Sequence, residues 1–376
     1  MNKKLLVFDI GFLIGNNRTP IISKITYWQG KGLNVDIFCT HEAKEIYAEN
    51  LKNIKYIVLP KANSPKNRIL LIFEYLKRNL IAIFYLKKII NKKYHGVYSI
   101  SAVLDLVIFP YILKLLNPNL KWFVVFDNTV ERNEPGNKFI KLLAYLFYRL
   151  SLLFIRNADI VFVVTGLLKK SLLSEGFSKE QLIVTGNGIE IEIMDSVKVK
   201  KKEYDGLFIG RVNETKGVYD LLDVLKIVTK TIPKFKLAIM GRGDDDSERA
   251  FIYTIQRMGL SKNVKLIGFK SGHDKFKVIK ESKMFIFLSQ SESFGVALLE
   301  AVVSGIPAVV YNLEPYRDIY KNNEVVAVKK GDTTAVARNV IKILKSKKTV
   351  NTNGMMLHDK YGWHNISEIE YKQFCK

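Results

Sequence analysis

The chain of 376 residues holds only two cysteines, Cys39 and Cys375, in opposite parts of the sequence. That excludes a disulfide framework beyond one pair and any cysteine-based zinc spacing, and it fits a reducing compartment. Long hydrophobic runs are missing too. No segment offers the about 18 uncharged apolar residues that a membrane-spanning helix needs. The opening MNKKLLVFDIGFLIG imitates a signal peptide, but Asp9 interrupts its apolar stretch and no small-residue cleavage site follows. It reads as a first β-strand. Internal repeats and low-complexity tracts are absent. Acids are scarce: 36 Asp and Glu stand against 59 Lys and Arg, giving a net charge of +23 and a pI near 9.7. Compositional drift toward Lys supplies part of this surplus. The remainder points to a polyanionic partner: nucleic acid, an anionic membrane surface or phosphorylated substrates. No helix-turn-helix, zinc-finger or aromatic RNA-binding signature is present, so nucleic acid has charge alone in its favour and is not expected as a partner.

What is present is alternation. The chain is 48% apolar and 25% charged, a globular composition with length for two cores. KKLLVFDI, NVDIFC, IKYIVL, GVYSI, KWFVVF, ADIVFVV and QLIVT read as strands in the first half. EYDGLFIG, FKLAIM, NVKLIG, MFIFLS, IPAVVY and EVVAV do so in the second. Many are continuous apolar runs, as in parallel sheets covered on both faces, and helical patterns separate them. The predicted fold class is α/β, with two doubly wound Rossmann-like domains. A polar, basic stretch near residues 188–204 marks the boundary. The expected domains are 1–190 and 191–350, with 351–376 a helical segment packing back towards the N-terminal domain.

Two constellations carry chemistry. SESFGVALLE follows MFIFLS and sets Glu292 and Glu300 eight positions apart. The spacing predicts a helix from about Phe294 to Ser304, with Ser293 as N-cap, Gly305 as stop and Pro307 beyond. Glu292 then stands at the carboxyl end of a parallel strand, where open α/β sheets bind ligands. Glu300 follows about two turns into the helix. The amides of Ser293, Phe294 and Gly295 form a positive helix end for a phosphate or a hydroxyl. A capping acid plus a helix-surface acid is the plainer alternative. Upstream, the run DGLFIG ends in Gly210, and Arg211, Lys216 and Gly217 follow in GRVNETKG. Two cations behind a strand-ending glycine suit a diphosphate, Arg as a fork and Lys as a point charge. A solvated basic loop would read the same.

Together these segments resemble the retaining nucleotide-sugar glycosyltransferases of family 4, which have the GT-B fold of two domains facing across a cleft. LFIGRVNETKG is similar to the family's phosphate loop, LAIMGRGDDD to its second glycine turn and KLIGFKS to its base-contacting loop. SESFGVALLEAVVSGIPAVV is similar to its E-x7-E signature, while NADIVFVVTGLLKKSL and IVTGNGIE look like the last strands of its acceptor domain. The resemblance covers most of the chain and is strongest over residues 155–312.

The resemblance implies roles. Arg211 and Lys216 would neutralise the donor diphosphate as its bond to the sugar breaks. Glu300 would hold the ribose hydroxyls and Glu292 those of the transferred sugar. Gly210, Ser293, Phe294 and Gly295 would line the donor, and Phe269 and Lys270 would border the base mainly through backbone atoms. No metal and no cofactor are expected, because Arg and Lys take the metal's part. Where the family often has a His, KWFVVFDN puts Phe126, Asp127 and Asn128. Asp127 is either a polar group near the reacting carbon or one half of a turn with Asn128. DIGFLIGNN is poorer in glycine than the usual first loop and leaves Gly15 for close approach to ligand. Asp318 stands where the family often has Glu. Asp244, Asp245 and Asp246 imitate metal-binding acids but read as a solvated loop or helix start, and His273 as a loop residue. Two rivals keep the fold: a non-catalytic sugar-nucleotide-binding partner subunit and a nucleotide-sugar epimerase.

Residues 64–95 carry Lys66, Lys77 and Lys88 at intervals of eleven, one helical stripe, with Glu74 the only acid. NKFIKLLAYLFYRLSLLFIRN repeats the theme with Lys138, Lys141, Arg149 and Arg156. Basic amphipathic helices suit an anionic membrane surface. The alternative is that their apolar faces pack on the sheet and the Lys are merely solvated. The expectation is a cytoplasmic transferase held peripherally at the inner face of the cell membrane. It would pass a sugar from a nucleotide-sugar donor to a lipid-linked or saccharide acceptor in cell-envelope or surface-polysaccharide assembly.

Overall fold

The computed structural model describes residues 3–11, 18–61, 68–130, 138–321, 324–346 and 354–376. The chain divides into two units, Met1–Gly186 with Trp363–Lys376, and Asn187–Gly362. Every run read as a strand forms one.

The strands of the first unit are β1 (Lys4–Asp9), β2 (Asn34–Cys39), β3 (Lys55–Val58), β4 (Gly96–Ser99), β5 (Lys121–Phe126), β6 (Ile160–Val163) and β7 (Leu182–Val184). Between them run α1 (Thr19–Gly30), α2 (His41–Asn50), α3 (Arg68–Ile83), α4 (Leu86–Asn91), α5 (Leu104–Leu116), α6 (Lys138–Ile155) and α7 (Gly166–Ser174). All pairings are parallel, in the order β3-β2-β1-β4-β5-β6-β7. The direction of winding reverses between β1 and β4, the switch point of a doubly wound sheet.

The second unit begins with α8 (Ile191–Ser196), β8 (Gly206–Ile209), α9 (Val218–Thr231), β9 (Leu237–Met240) and α10 (Asp245–Arg257). It continues with β10 (Val264–Gly268), α11 (Gly272–Lys280), β11 (Phe285–Phe287), α12 (Val296–Val303) and β12 (Ala308–Tyr311). Then come α13 (Glu314–Ile319), β13 (Val325–Val328), α14 (Thr333–Lys345) and α15 (Gly354–Tyr361). Its sheet is again parallel, ordered β10-β9-β8-β11-β12-β13. Each residue of β4, β9 and β12 is buried, which is why these strands read as unbroken apolar runs. Both units are Rossmann-like parallel-sheet domains, the fold class expected.

The last helix, α16 (Trp363–Phe374), rejoins the first unit. Phe374 enters the core of Trp28, Tyr98, Phe123 and Phe162. Lys24 of α1 donates to Glu370 Oε1 at 2.6 Å, and the Tyr98 hydroxyl donates to Glu370 Oε2 at 2.9 Å. Burial pushes the Glu370 carboxyl up and Lys24 opposes it. The return starts at Trp363 and not at residue 351, because α15 packs on α12 of the second unit. Contact there is tight: a Cβ on Gly354 would lie 2.8 Å from the Val302 carbonyl oxygen. Among the described residues no helix is long and apolar enough to cross a membrane.

One buried acid of the first unit makes its stability depend on pH. Asp105, in the first turn of α5, has its carboxyl pushed up to about 7 by burial, against the pull of its own backbone amide and of Arg78. Below about pH 4 the group is protonated in the folded and unfolded chain alike. Between there and about 7 only the unfolded chain gives up its proton, so stability falls as pH rises through that window. Asp105→Asn should remove a slope of about 1.4 kcal/mol per pH unit there. Urea midpoints of variant and parent across the window measure it; identical slopes would mean that Asp105 ionises at its ordinary value.

Candidate functional site

The site is built where β10, β9, β8 and β11 end. Backbone hydrogen bonds lace their loops together: the Gly241 amide donates to the Gly268 carbonyl at 3.0 Å and the Gly210 amide to the Met240 carbonyl at 3.0 Å. The Val212 amide donates to the Arg242 carbonyl at 3.1 Å, and the Gln290 amide to the Thr215 carbonyl at 2.9 Å. At two points only glycine fits. Gly217 has φ 72°, and a Cβ there would lie 1.9 Å from the Leu288 carbonyl oxygen. Gly241, at φ 143°, would place its Cβ 1.9 Å from the Gly210 carbonyl oxygen.

This lacing positions the charged residues. A single 3-10 turn, Glu214–Lys216, follows β8 and is capped by Asn213, whose Oδ1 accepts from the Lys216 amide at 3.1 Å. Lys216 Nζ then donates to Glu292 Oε1 at 2.5 Å, with side chains 20% and 12% exposed. Arg211 is exposed and has no carboxylate partner among the described residues. The loop therefore offers one paired cation and one unpaired cation at the carboxyl edge of the sheet. Phe269 is 66% exposed and Lys270 is also exposed, on the loop after β10. β8 ends at Ile209, and Gly210 is the first residue past it.

The helix after Glu292 differs from the sequence reading. It begins at Val296, not Phe294, and Gly295 at φ 82° is its N-cap, with no side-chain capping bond. Ser293 does not cap it, because the left-handed residue, which glycine adopts freely, sets the entry. Phe294 is buried against the Tyr361 ring, centroids 5.5 Å apart. A Cβ on Gly295 would lie 3.0 Å from the Tyr316 ring. The amides of Ser293, Phe294 and Gly295 have no hydrogen-bond partner among the described residues.

Glu300 is buried, and its partner was not visible in the sequence. Lys275 of α11 donates to Glu300 Oε1 at 2.6 Å and reaches Glu190 Oε2 at 3.3 Å. Burial pushes the Glu300 carboxyl up, and Lys275 works against it. Burial also works to lower the Lys275 ammonium, but Glu300 and then Glu190 outweigh it and hold it above its ordinary value. These contacts span 25 and 85 positions, so no local motif announces them. Glu292 and Glu300 thus share no partner; each holds its own lysine.

Other expected residues fall elsewhere. Asp127 follows β5 at an exposed position, yet the protein around its carboxyl withdraws enough water to raise it, with its own backbone amide, then Lys24 and Ser101, opposing. The Asn128 side chain, not Asp127, accepts from the Thr129 amide, at 2.9 Å. Asp244 caps α10, accepting from the Ser247 amide at 2.9 Å, and Asp245 and Asp246 continue the first turn. Among the described residues no group of His, Cys, Asp and Glu has the arrangement of a metal site. Asp318 lies on α13, and His273 is exposed in the first turn of α11 rather than in a loop. Gly15 and Lys66 lie outside the described residues. Lys77 and Lys88 do not share one helix. The last turn of α3 tightens, the Phe84 amide bonding the Ile81 carbonyl, so Lys88 belongs to α4.

Comparison with known proteins bears on the family and on the fold. Residues 190–354 match the model of the family Glycosyl transferases group 1. The match lies within the second unit and spans less than half of the chain. It is 31% identical over 143 residues to the phosphatidyl-myo-inositol mannosyltransferase of Mycobacterium leprae, covering 37% of each chain. To the GDP-mannose:cellobiosyl-diphosphopolyprenol alpha-mannosyltransferase of Xanthomonas oryzae it is 24% identical over 200 residues, covering 52% of this chain and 53% of that one. The matches thus span only about a third to a half of these relatives' lengths. In structure the chain is similar to HepE of Anabaena, solved with UDP and glucose: TM-score 0.76 at 14% identity, over 99% of both chains. Identity that low speaks for the fold alone. Family and fold class agree with the resemblance read from the sequence.

Gly217 tests the construction of the site. Gly217→Ala would strain a positive φ and push the loop off the Leu288 carbonyl, so it should cost more than about 1 kcal/mol of stability. It should also separate Lys216 from Glu292. A urea midpoint equal to the parent's would show that the loop does not depend on this contact.

Proposed function

We propose that the chain is a retaining glycosyltransferase. It takes a sugar from a nucleotide diphosphate donor and passes it to a lipid-linked or saccharide hydroxyl in cell-envelope or surface-polysaccharide assembly, at the cytoplasmic face of the membrane. The observation that carries this reading is the Lys216–Glu292 pair at 2.5 Å beside the unpaired Arg211, on loops held by backbone contacts. The match of residues 190–354 to the Glycosyl transferases group 1 model supports it. So do the activities that name two relatives, both mannosyltransferases, one with a diphosphopolyprenol-linked substrate in its name. A structural neighbour holding UDP and glucose supports a nucleotide-sugar donor.

In this reading Arg211 and Lys216 offset the charge that grows on the leaving diphosphate, a contribution largest in the transition state. Glu292 orients hydroxyls of the transferred sugar and keeps Lys216 in place. Glu300 holds the ribose hydroxyls, with Lys275 maintaining its geometry. The exposed Phe269 and Lys270 border the base. Asp127 serves as a polar group on the acceptor side. The cations do the work of a divalent metal, so none takes part.

Glu300→Ala should weaken nucleoside diphosphate binding by about 1.5–3 kcal/mol, the scale of hydrogen bonds to a charged group. Glu292→Ala should lower turnover with the sugar nucleotide while plain nucleoside diphosphate binding stays near the parent's. Calorimetry with both ligands reads the division; equal losses with nucleoside diphosphate alone would reject it.

Arg211→Ala and Lys216→Ala should each lower kcat more than they raise KM. The assay is acceptor-dependent release of nucleoside diphosphate, which an epimerase or a non-catalytic subunit would not show. Activity should survive EDTA. Loss of activity on chelation, restored by a divalent ion, would return Asp244, Asp245 and Asp246 to consideration.

A further inference from the structure

α3 is built inside out. Its polar residues Arg78 and Asn79 face the protein, both buried: Arg78 Nη1 donates to the Ile10 carbonyl at 3.0 Å, and Asn79 Nδ2 to the Asp105 carbonyl at 3.2 Å. Its outer face is apolar. Phe73, Leu76 and Leu80 are exposed along one stripe, and Phe84 just past its end is 85% exposed. α6 presents a second such stripe, Leu142, Leu146, Leu150 and Leu153, all exposed. α5 packs against both helices, so the two stripes flank it in one layer. Large apolar side chains grouped in this way mark a surface made for a partner, unlike singly scattered ones.

The charge around the face says what that partner is. Lys77, Lys87 and Lys88 are exposed on α3 and α4. α3, α4 and α6 hold one acid between them, Glu74, which is turned inward and lies 3.7 Å from Lys77 and from Arg78. A second copy of this chain would bring lysine against lysine. A bilayer with anionic headgroups accepts both parts, apolar side chains below the headgroups and ammonium groups among them. We propose that the outer faces of α3 and α6 insert into an anionic lipid bilayer, with Phe84 and Leu80 as the deepest anchors and Lys77, Lys87 and Lys88 among the headgroups. This deepens the membrane part of the function proposed above: Lys77 and Lys88, two of the lysines expected from the sequence, join Lys87 in the rim, and apolar insertion holds the protein. It does not depend on the donor site.

Vesicle flotation with the full chain tests it, using phosphatidylcholine with and without phosphatidylglycerol. The parent should float with the anionic vesicles and much less with pure phosphatidylcholine. Leu80→Gln with Phe84→Gln should weaken partitioning on the order of tenfold, with circular dichroism unchanged since both positions are exposed. Lys77→Gln, Lys87→Gln and Lys88→Gln together should weaken binding to anionic vesicles only. In Phe84→Trp, the emission difference from the parent should move to shorter wavelength on anionic vesicles and be quenched by brominated acyl chains. If the glutamine double variant floats like the parent while the lysine variant does not, binding is electrostatic and insertion is wrong, though membrane association survives. If the parent does not float, both fail. Dimers in light scattering that the glutamine variant abolishes, without flotation, would assign the face to a second copy.

Discussion

The second unit depends on a contact between two stretches of backbone. Where β8 ends, Gly217 lies so close to the Leu288 carbonyl that no side chain fits between them. Gly241 lies as close to Gly210 on the other side. Backbone against backbone has little play, since both partners are fixed by the sheet that precedes them. A lysine and a glutamate drawn from loops 76 positions apart can then meet at hydrogen-bond distance before any ligand arrives. Side chains held by their surroundings lose little freedom on binding, which is what electrostatic catalysis needs.

The acids answer to a second constraint. A buried carboxylate without a partner is costly, and in a chain of net charge +23 the available partners are lysines. Glu292 takes Lys216, Glu300 takes Lys275 with Glu190 beside it, and in the first unit Glu370 takes Lys24. The pairing at Glu370 fastens α16 to α1 and so decides where the chain ends in space. The pairings at Glu292 and Glu300 do something different. They leave Arg211 exposed and without a carboxylate partner among the described residues.

Much of this was legible in the sequence because it is local. The strands read correctly since both faces of each sheet are covered, and a four-residue run such as LAIM or AVVY has no polar position to mislead. Gly210, Arg211 and Lys216 follow from their place after β8, and Glu292 from its place after β11, the neighbouring strand of the sheet. Ser293 misled because serine is a good N-cap and sits just ahead of an apolar run, while Gly295, two residues on, could take the left-handed conformation that starts the helix. Lys275 was invisible for a different reason. Its partners come from α12 and from the residue before α8, and no spacing in one segment encodes a meeting of three.

The lysine stripe is the most instructive case. Period alone placed Lys66, Lys77 and Lys88 on one face and left the apolar faces free to pack on the sheet. Period says which residues share a face, but not which face turns inward. In α3 the inward face carries Arg78 and Asn79, whose side chains donate to the Ile10 carbonyl just past β1 and to the Asp105 carbonyl in the first turn of α5. Both carbonyls lie beyond the strands, one past the end of β1 and one in a helix, and they meet the polar side of α3. Once they recruit the polar side of the helix, Phe73, Leu76, Leu80 and Phe84 have only the outside left. A natural sequence keeps such a conflict between local pattern and burial where function needs it, which is the ground for reading the apolar face of α3 as a binding surface.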